Sequence, residues 1–200
     1  MLDWARMLLS VALLLSCLGA PDQPADAAPK NPTGPRALLG EEAPRFILRT
    51  LNPEVAGERF ILRDHVGPSA RTPKKKVLLD FAASWCVPCR DELAEITKRK
   101  RAFDAAGVAV AVVVIDKEEE GIATMKKLIQ DLNLPFPVVS DRFQVLARRY
   151  HVGTLPLAVV VEPTGRVSHV QEGYTAEHLS RLEGALGVSP PRSRSVKSRP

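Results

Sequence analysis

Two cysteines separated by two residues carry the most reactive chemistry in this 200-residue sequence: Cys86 and Cys89 enclose only Val87 and Pro88. A dithiol at this spacing can close to a small disulfide and open again. Exchange of that kind needs one thiolate that attacks and a second thiol that resolves. A helical pattern begins directly after the pair, so the Cys86 sulfur meets the positive end of a helix dipole and its free N–H groups. That placement lowers a thiol pKa, most of all for the first cysteine of a C-x-x-C. Cys86 is therefore the candidate nucleophile. Cys89, inside the first turn, is the candidate resolving thiol. Pro88 suits a first-turn position, where the missing N–H costs nothing, and Val87 and Pro88 together tune thiolate stability. A static disulfide closing so short a loop would stabilise little by chain entropy. A zinc site would want a second pair of ligands or nearby histidines, and the four histidines (His65, His151, His169, His178) show no ligand spacing. The expected catalytic group is thus the reversible Cys86–Cys89 disulfide, with no metal and no other cofactor. His151, beside a Leu-Pro turn, reads as a surface residue that could approach the dithiol.

The elements around the pair must hold it in place. Val77 to Phe81 is a nearly continuous apolar run, as in a strand covered on both faces, and only Asp80 breaks it. A helix is expected from about Val87 to Ala105, with Leu93, Ile96 and Phe103 on one side. Val108 to Ile115 is the most β-prone segment. Ile122, Met125, Leu128, Ile129 and Leu132 recur at helical spacing. Phe136–Val139 reads as a short strand and Val145–Tyr150 as a short helix. Leu157–Val161 and Arg166–Gln171 read as strands joined by a turn at Pro163-Thr-Gly165, and Leu179, Leu182 and Leu186 mark a last helix. Ahead of all these, Arg45–Leu51 and Arg59–Leu62 form a hairpin pattern around Asn52-Pro53 and Gly57. Strands alternating with helices and ending in a hairpin imply an α/β sandwich with a central mixed β-sheet flanked by helices, preceded by an N-terminal β-hairpin.

Composition sets the outer limits. An apolar content of 45% supports a buried core, and the length allows one domain plus tails. The net charge is +5, but Arg192, Arg194, Lys197 and Arg199 supply four of those charges. The basic balance is therefore a tail effect. Residues 189–200 read as a disordered, solvated end, and no nucleic-acid partner is expected. At the other end, Arg6 precedes the apolar run Met7–Leu15, which is shorter than the roughly 20 residues of a membrane span. Residues 1–20 read as an export signal. Leu14-Leu15-Ser16-Cys17 resembles a bacterial lipobox with Cys17 as the lipidated residue, while Ala25-Asp26-Ala27 offers small residues for ordinary cleavage. Both readings stand. Residues 21–40 are rich in Pro and Ala and read as an extended linker, which leaves 41–188 as the folded domain.

Four segments together resemble the thioredoxin superfamily, and within it the TlpA/ResA-like thiol–disulfide oxidoreductases of the bacterial envelope. They are Leu79-Asp-Phe-Ala-Ala-Ser-Trp-Cys-Val-Pro-Cys-Arg90 with Glu92 beyond it, Val112-Val-Val-Ile-Asp116, Phe136-Pro-Val-Val-Ser-Asp141, and Tyr150-His-Val-Gly-Thr-Leu-Pro156 followed by Val159 to Gly165. The likeness spans roughly residues 43 to 187. It departs at Ala82, where relatives often carry an aromatic, and at Ala94, where a proline often kinks the active-site helix.

The resemblance implies a thioredoxin-like fold and several site roles. Asp80 takes the place of a buried acid that accepts a proton from the resolving cysteine, and burial would raise its pKa toward neutrality. A cis bond is implied before Pro156, with the Leu155 backbone pairing with a bound peptide as an added strand. Trp85 would shield the dithiol. The implied activity is disulfide exchange with protein thiols or disulfides, as a reductant recharged by an upstream membrane electron donor, on the periplasmic side of a bacterial envelope. Apocytochrome c or a copper-site protein are substrates of the kind this family serves. A copper-delivery module using the same cysteines is the alternative, although such relatives carry a C-x-x-x-C. A thiol peroxidase would want Pro and Thr or Ser where Leu79 and Ala83 stand.

Overall fold

In the computed structural model, which describes residues 34–188, the chain runs through seven strands and six α-helices. In order these are β1 (Ile47–Arg49), α1 (Pro53–Ala56), β2 (Arg59–Ile61), β3 (Lys76–Ala82), α2 (Val87–Lys98), α3 (Lys100–Ala106), β4 (Val108–Val114), α4 (Glu119–Asp131), β5 (Val138–Ser140), α5 (Val145–Arg149), β6 (Leu157–Val161), β7 (Val167–Glu172) and α6 (Ala176–Leu186). Residues 1–33, including the signal and Cys17, and the tail 189–200 lie outside the described residues.

Five strands form one mixed sheet in the order β5-β4-β3-β6-β7. β3 pairs in parallel with β4 and antiparallel with β6. It sits in the middle because its side chains suit nowhere else. Val77, Leu78, Leu79, Phe81 and Ala82 are all fully buried. Each large apolar side chain buried there contributes roughly 1.5–3 kcal/mol. That surplus lets the strand carry Asp80, which is 1% exposed, at its centre. β4 follows the same logic, with five consecutive buried residues ending at Val114.

β1 and β2 pair antiparallel as the expected hairpin. Their connection is a one-turn helix, not a simple loop: Pro53 pre-sets the first helical φ and Gly57 ends the turn at φ 75°. The hairpin docks on the β5 edge through Asn52, which is 1% exposed. Its Nδ2 donates to the Phe136 carbonyl at 2.8 Å and its Oδ1 accepts from Val138 N at 2.9 Å. The amide thus replaces a strand neighbour for an edge that would otherwise leave backbone groups unpaired.

The helix expected from Val87 to Ala105 is two helices. α2 runs unbroken through Ala94 and stops at Lys98. Arg99 leaves the helical region at φ −96°, ψ 2°, and α3 starts again at Lys100. The break lets the Arg99 guanidinium reach Glu183 of α6 as well as Glu95. Periodicity could not reveal it, because Leu93, Ile96 and Phe103 keep one apolar face across it. Ahead of the hairpin, residues 34–38 form a 3-10 turn with Pro35 and Leu38 buried.

Replacing Asn52 with Leu should leave the Phe136 carbonyl and the Val138 N–H buried without partners. The expected loss is about 2 kcal/mol. In a domain of this size that lowers the thermal midpoint by roughly 4–8 °C, read by circular dichroism.

Candidate functional site

Strand β3 ends at Ala82 and α2 begins at Val87, so four residues make the turn that carries the first cysteine. Cys86 is the N-cap of α2. Its Sγ accepts from the Cys89 N–H at 3.2 Å, and its own N–H donates to the Ala83 carbonyl at 3.0 Å. A sulfur in this position faces the N–H groups that a helix start leaves unpaired. Cys86 and Cys89 are joined as a disulfide with 5.3 Å between their Cα atoms. Both are buried, Cys86 at 4% exposure and Cys89 at 1%. The side chains beside Cys86 are not: Trp85 is 68% exposed and Val87 69%. Trp85 is therefore no core residue.

The far wall comes from a distant segment. Leu155-Pro156 is a cis peptide. Leu155, Val152 and His151 line a groove of about 600 Å³ together with Trp85, Cys86 and Pro88. Sequence-expected residues from positions 85 to 88 and 155 thus meet around one sulfur. Pro156 is buried at the start of β6. His151 sits at the rim with φ 53°.

The strand and the helix that flank the dithiol turn each bury a carboxyl group, Asp80 in β3 and Glu92 in α2. Asp80 points from the central strand into the core, and neither of its oxygens has a hydrogen-bond partner. Burial pushes its pKa up to about 7. Glu92 is 1% exposed and equally unpartnered. Burial, then the charge of Asp80, pushes it up to about 10. Two like charges in an apolar site cannot both ionise cheaply, so the pair prefers to hold a proton. Cys89 and Glu92 are three residues apart on α2 and share its buried face. The dithiol and the acid pair therefore belong to one buried cluster.

Glu92 had no role in the sequence reading beyond its place in the motif. Its signal was available: it falls on the stripe of Cys89, Leu93 and Ile96, where a carboxylate is out of place. Asp116 was missed in the same way. It is 5% exposed at the end of β4. Its Oδ2 accepts from Ser84 N at 2.8 Å and its Oδ1 from Ser84 Oγ at 2.6 Å. Arg90 Nη2 donates to the Ser84 carbonyl at 3.2 Å. Ser84 is thus fixed on three atoms, which anchors the turn immediately before Trp85 and Cys86. A Cβ on Gly121 would lie 2.4 Å from Asp116 Oδ1, so only glycine lets α4 approach this anchor. Among the described residues, no three His, Cys, Asp or Glu side chains converge as metal ligands would.

Comparison with known proteins agrees with this geometry. Residues 39–170 match the AhpC/TSA family. A thiol-disulfide oxidoreductase ResA of Bacillus thuringiensis is 30% identical over 148 residues, which span 74% of this chain and 76% of that protein. Among solved structures, a DsbE-type thiol:disulfide interchange protein of Chlorobium tepidum superposes with a TM-score of 0.63 at 26% identity, covering 74% of this chain and 98% of that one. StoA of Bacillus subtilis superposes with a TM-score of 0.55 at 25% identity over 70% and 96% of the two chains.

The buried acids set a pH dependence. An unfolded aspartate releases its proton near pH 4, whereas folded Asp80 holds it to about 7. Over that window the folded state binds more protons, so stability falls as pH rises. For Glu92 the fall continues toward pH 10. Each pKa unit is worth about 1.4 kcal/mol. In urea titrations of the oxidised protein, wild type should lose a few kcal/mol relative to Asp80→Asn between pH 4 and 7. Relative to Glu92→Gln it should go on losing stability above pH 7. Differences that stay flat with pH would refute the assignment.

By sequence match, fold and the cysteine pair at a helix N-terminus, the chain belongs to the AhpC/TSA family, among its thioredoxin-like thiol–disulfide oxidoreductases.

Proposed function

We propose that this chain is an exported reductant of protein disulfides. One observation carries the reading: Cys86 borders an open groove, while Cys89 lies behind it, buried on the face of α2 that also holds Glu92. In the reduced protein the Cys86 thiolate attacks a substrate disulfide. A Cys86–substrate mixed disulfide forms and one substrate thiolate leaves. Asp80 takes the proton of the Cys89 thiol, directly or through Glu92. The Cys89 thiolate attacks Cys86 Sγ, closes the Cys86–Cys89 disulfide and expels the second substrate thiolate, which is then protonated. Two electrons pass to the substrate. Leu155 offers backbone to the bound segment as an added strand, Pro156 holds that turn, and Trp85, Val87 and Pro88 form the near wall.

The acid pair supports the reductant direction. Strong oxidants of this fold owe their potential to a stabilised reduced form, that is, a stabilised thiolate. Buried carboxyl groups on the strand and helix that flank the dithiol oppose a further negative charge. A membrane electron donor would restore the dithiol. Export rests on the N-terminal signal pattern, and lipidation of Cys17 would tether the domain through the Pro/Ala-rich linker on the periplasmic side of the envelope.

Cys89→Ser should trap protein substrates on Cys86 as mixed disulfides that reductant releases, read by diagonal electrophoresis from the native host. Recovery of no trapped protein, with rapid peroxide turnover instead, would sink the reading. Asp80→Asn should slow release of the mixed disulfide at least tenfold while leaving the Cys86 attack step within about twofold; equal slowing of both steps speaks against the base role. Cys17→Ala should move the protein from the membrane to the soluble fraction.

A further inference from the structure

The surface around Cys86 is divided by charge. Trp85, Ile115 and Gln144 line two neighbouring cavities at once and form the wall between them. The first cavity, of about 600 Å³, contains Cys86; its lining has no carboxylate, and its fixed cation is Arg148. The second, of about 530 Å³, is lined by Asp116, Glu118 and Glu120 against the single cation Lys117. Asp116 is committed to Ser84. Glu118, Glu120 and Arg148 are exposed and, among the described residues, none forms an ion pair. Their neighbours Glu119 and Arg142 do pair, with each other. Opposite charges on the two sides of one wall are thus left unspent by the fold.

The wall itself is built to stay. Gln144 adopts φ 52°, which a non-glycine residue takes only when held there. Its Nε2 donates to the Ile115 carbonyl at 3.0 Å and its N–H donates to the Asp141 carbonyl at 2.7 Å. Arg148 is also oriented, with Nη1 donating to the Phe143 carbonyl at 3.1 Å. Of the seven large apolar side chains exposed among the described residues, Trp85 and Val87 line the Cys86 cavity, and Phe143 and Val145 flank Gln144 in the chain. An exposed apolar set flanked by unpaired charges is the form of a docking surface rather than of a solvated face.

We infer that the polypeptide segment attacked by Cys86 is bipolar, with an acidic residue on the Arg148 side of its cysteine, a basic residue on the Glu118 and Glu120 side, and apolar residues between them against Trp85. This rests on the exchange reading above and adds the class of substrate. Charges at such a rim govern encounter and orientation more than final affinity. They should therefore appear as a rate preference that salt screens.

The test uses two peptides of one composition, Asp-Leu-Cys-Leu-Lys and Lys-Leu-Cys-Leu-Asp, each N-acetylated and C-amidated so that only the side chains are charged, and each as its symmetric disulfide dimer. Oxidation of the reduced full chain by each is followed by tryptophan fluorescence in stopped flow. One order should react roughly three- to tenfold faster at low ionic strength, and the gap should close in high salt. In the triple variant Arg148→Glu, Glu118→Lys, Glu120→Lys the faster peptide should become the slower. The ratio is read within one protein sample, so changes in overall activity cancel. Where the triple variant does not fold, Arg148→Glu alone must move the ratio toward one. Equal rates for wild type at low salt, or a preference unchanged by the variants, overturn the charge reading alone. Failure of both peptides to oxidise the wild type removes the exchange reading and this one together.

Discussion

Strand β3 has water on neither face and a neighbour on each edge, and the rest of the molecule follows from how that burial is achieved. Apolar side chains fill both faces, and β4 and β6 supply the hydrogen bonds. A strand so enclosed ends at a fixed point. The turn that leaves it at Ala82 therefore delivers Cys86 to a fixed place, at the start of a helix whose first N–H groups face the sulfur. The same enclosure makes Asp80 chemically unusual. In water it would be an ordinary carboxylate, whereas in this strand its charge has no partner and its proton is retained to about pH 7.

Chemistry and stability are in tension at this point. A buried acid without a hydrogen bond costs free energy, and two such acids in contact cost more, because the charge of each opposes ionisation of the other. A fold selected for stability alone would place an apolar side chain at 80 or at 92. Retaining both keeps two titratable groups, each with a raised pKa, on the strand and helix that flank the dithiol. The outer side of the site is built on the opposite plan. Cys86 is held by backbone contacts and by the Ser84 anchor, whereas Trp85 and Val87 beside it stand in solvent, available to a partner.

Much of this was legible in the sequence, for local reasons. The Cys86–Cys89 spacing, the apolar run broken by Asp80 and the helical stripe after the dithiol are each marked by spacing or side-chain period within one short segment, whereas the late Leu155-Pro156 was marked by the resemblance to the thioredoxin superfamily. Most of the strands and helices read from the sequence agree with those observed, but residues 34–40, read as the end of an extended linker, form a 3-10 turn and pair with Val167. The break at Arg99 is invisible because the apolar face continues across it. The one-turn helix at Pro53 is too short to have a period. Glu92 and Asp116 were quoted as parts of motifs, yet their burial depends on what packs against them from β3 and from the turn at Ser84, many residues away.

The sequence by itself determined that a dithiol stands between a buried strand and a helix, with an acid in the strand, because spacing and hydrophobic period are properties of a single segment. Only the tertiary structure decided that this acid has a second one as its neighbour. The same holds for the fixing of Ser84 by Asp116 and Arg90, and for the placing of Arg148 and Glu118 on opposite sides of the Trp85 wall. Those relations join residues from separate elements, and burial and electrostatic coupling depend on distance in space, which no single segment encodes.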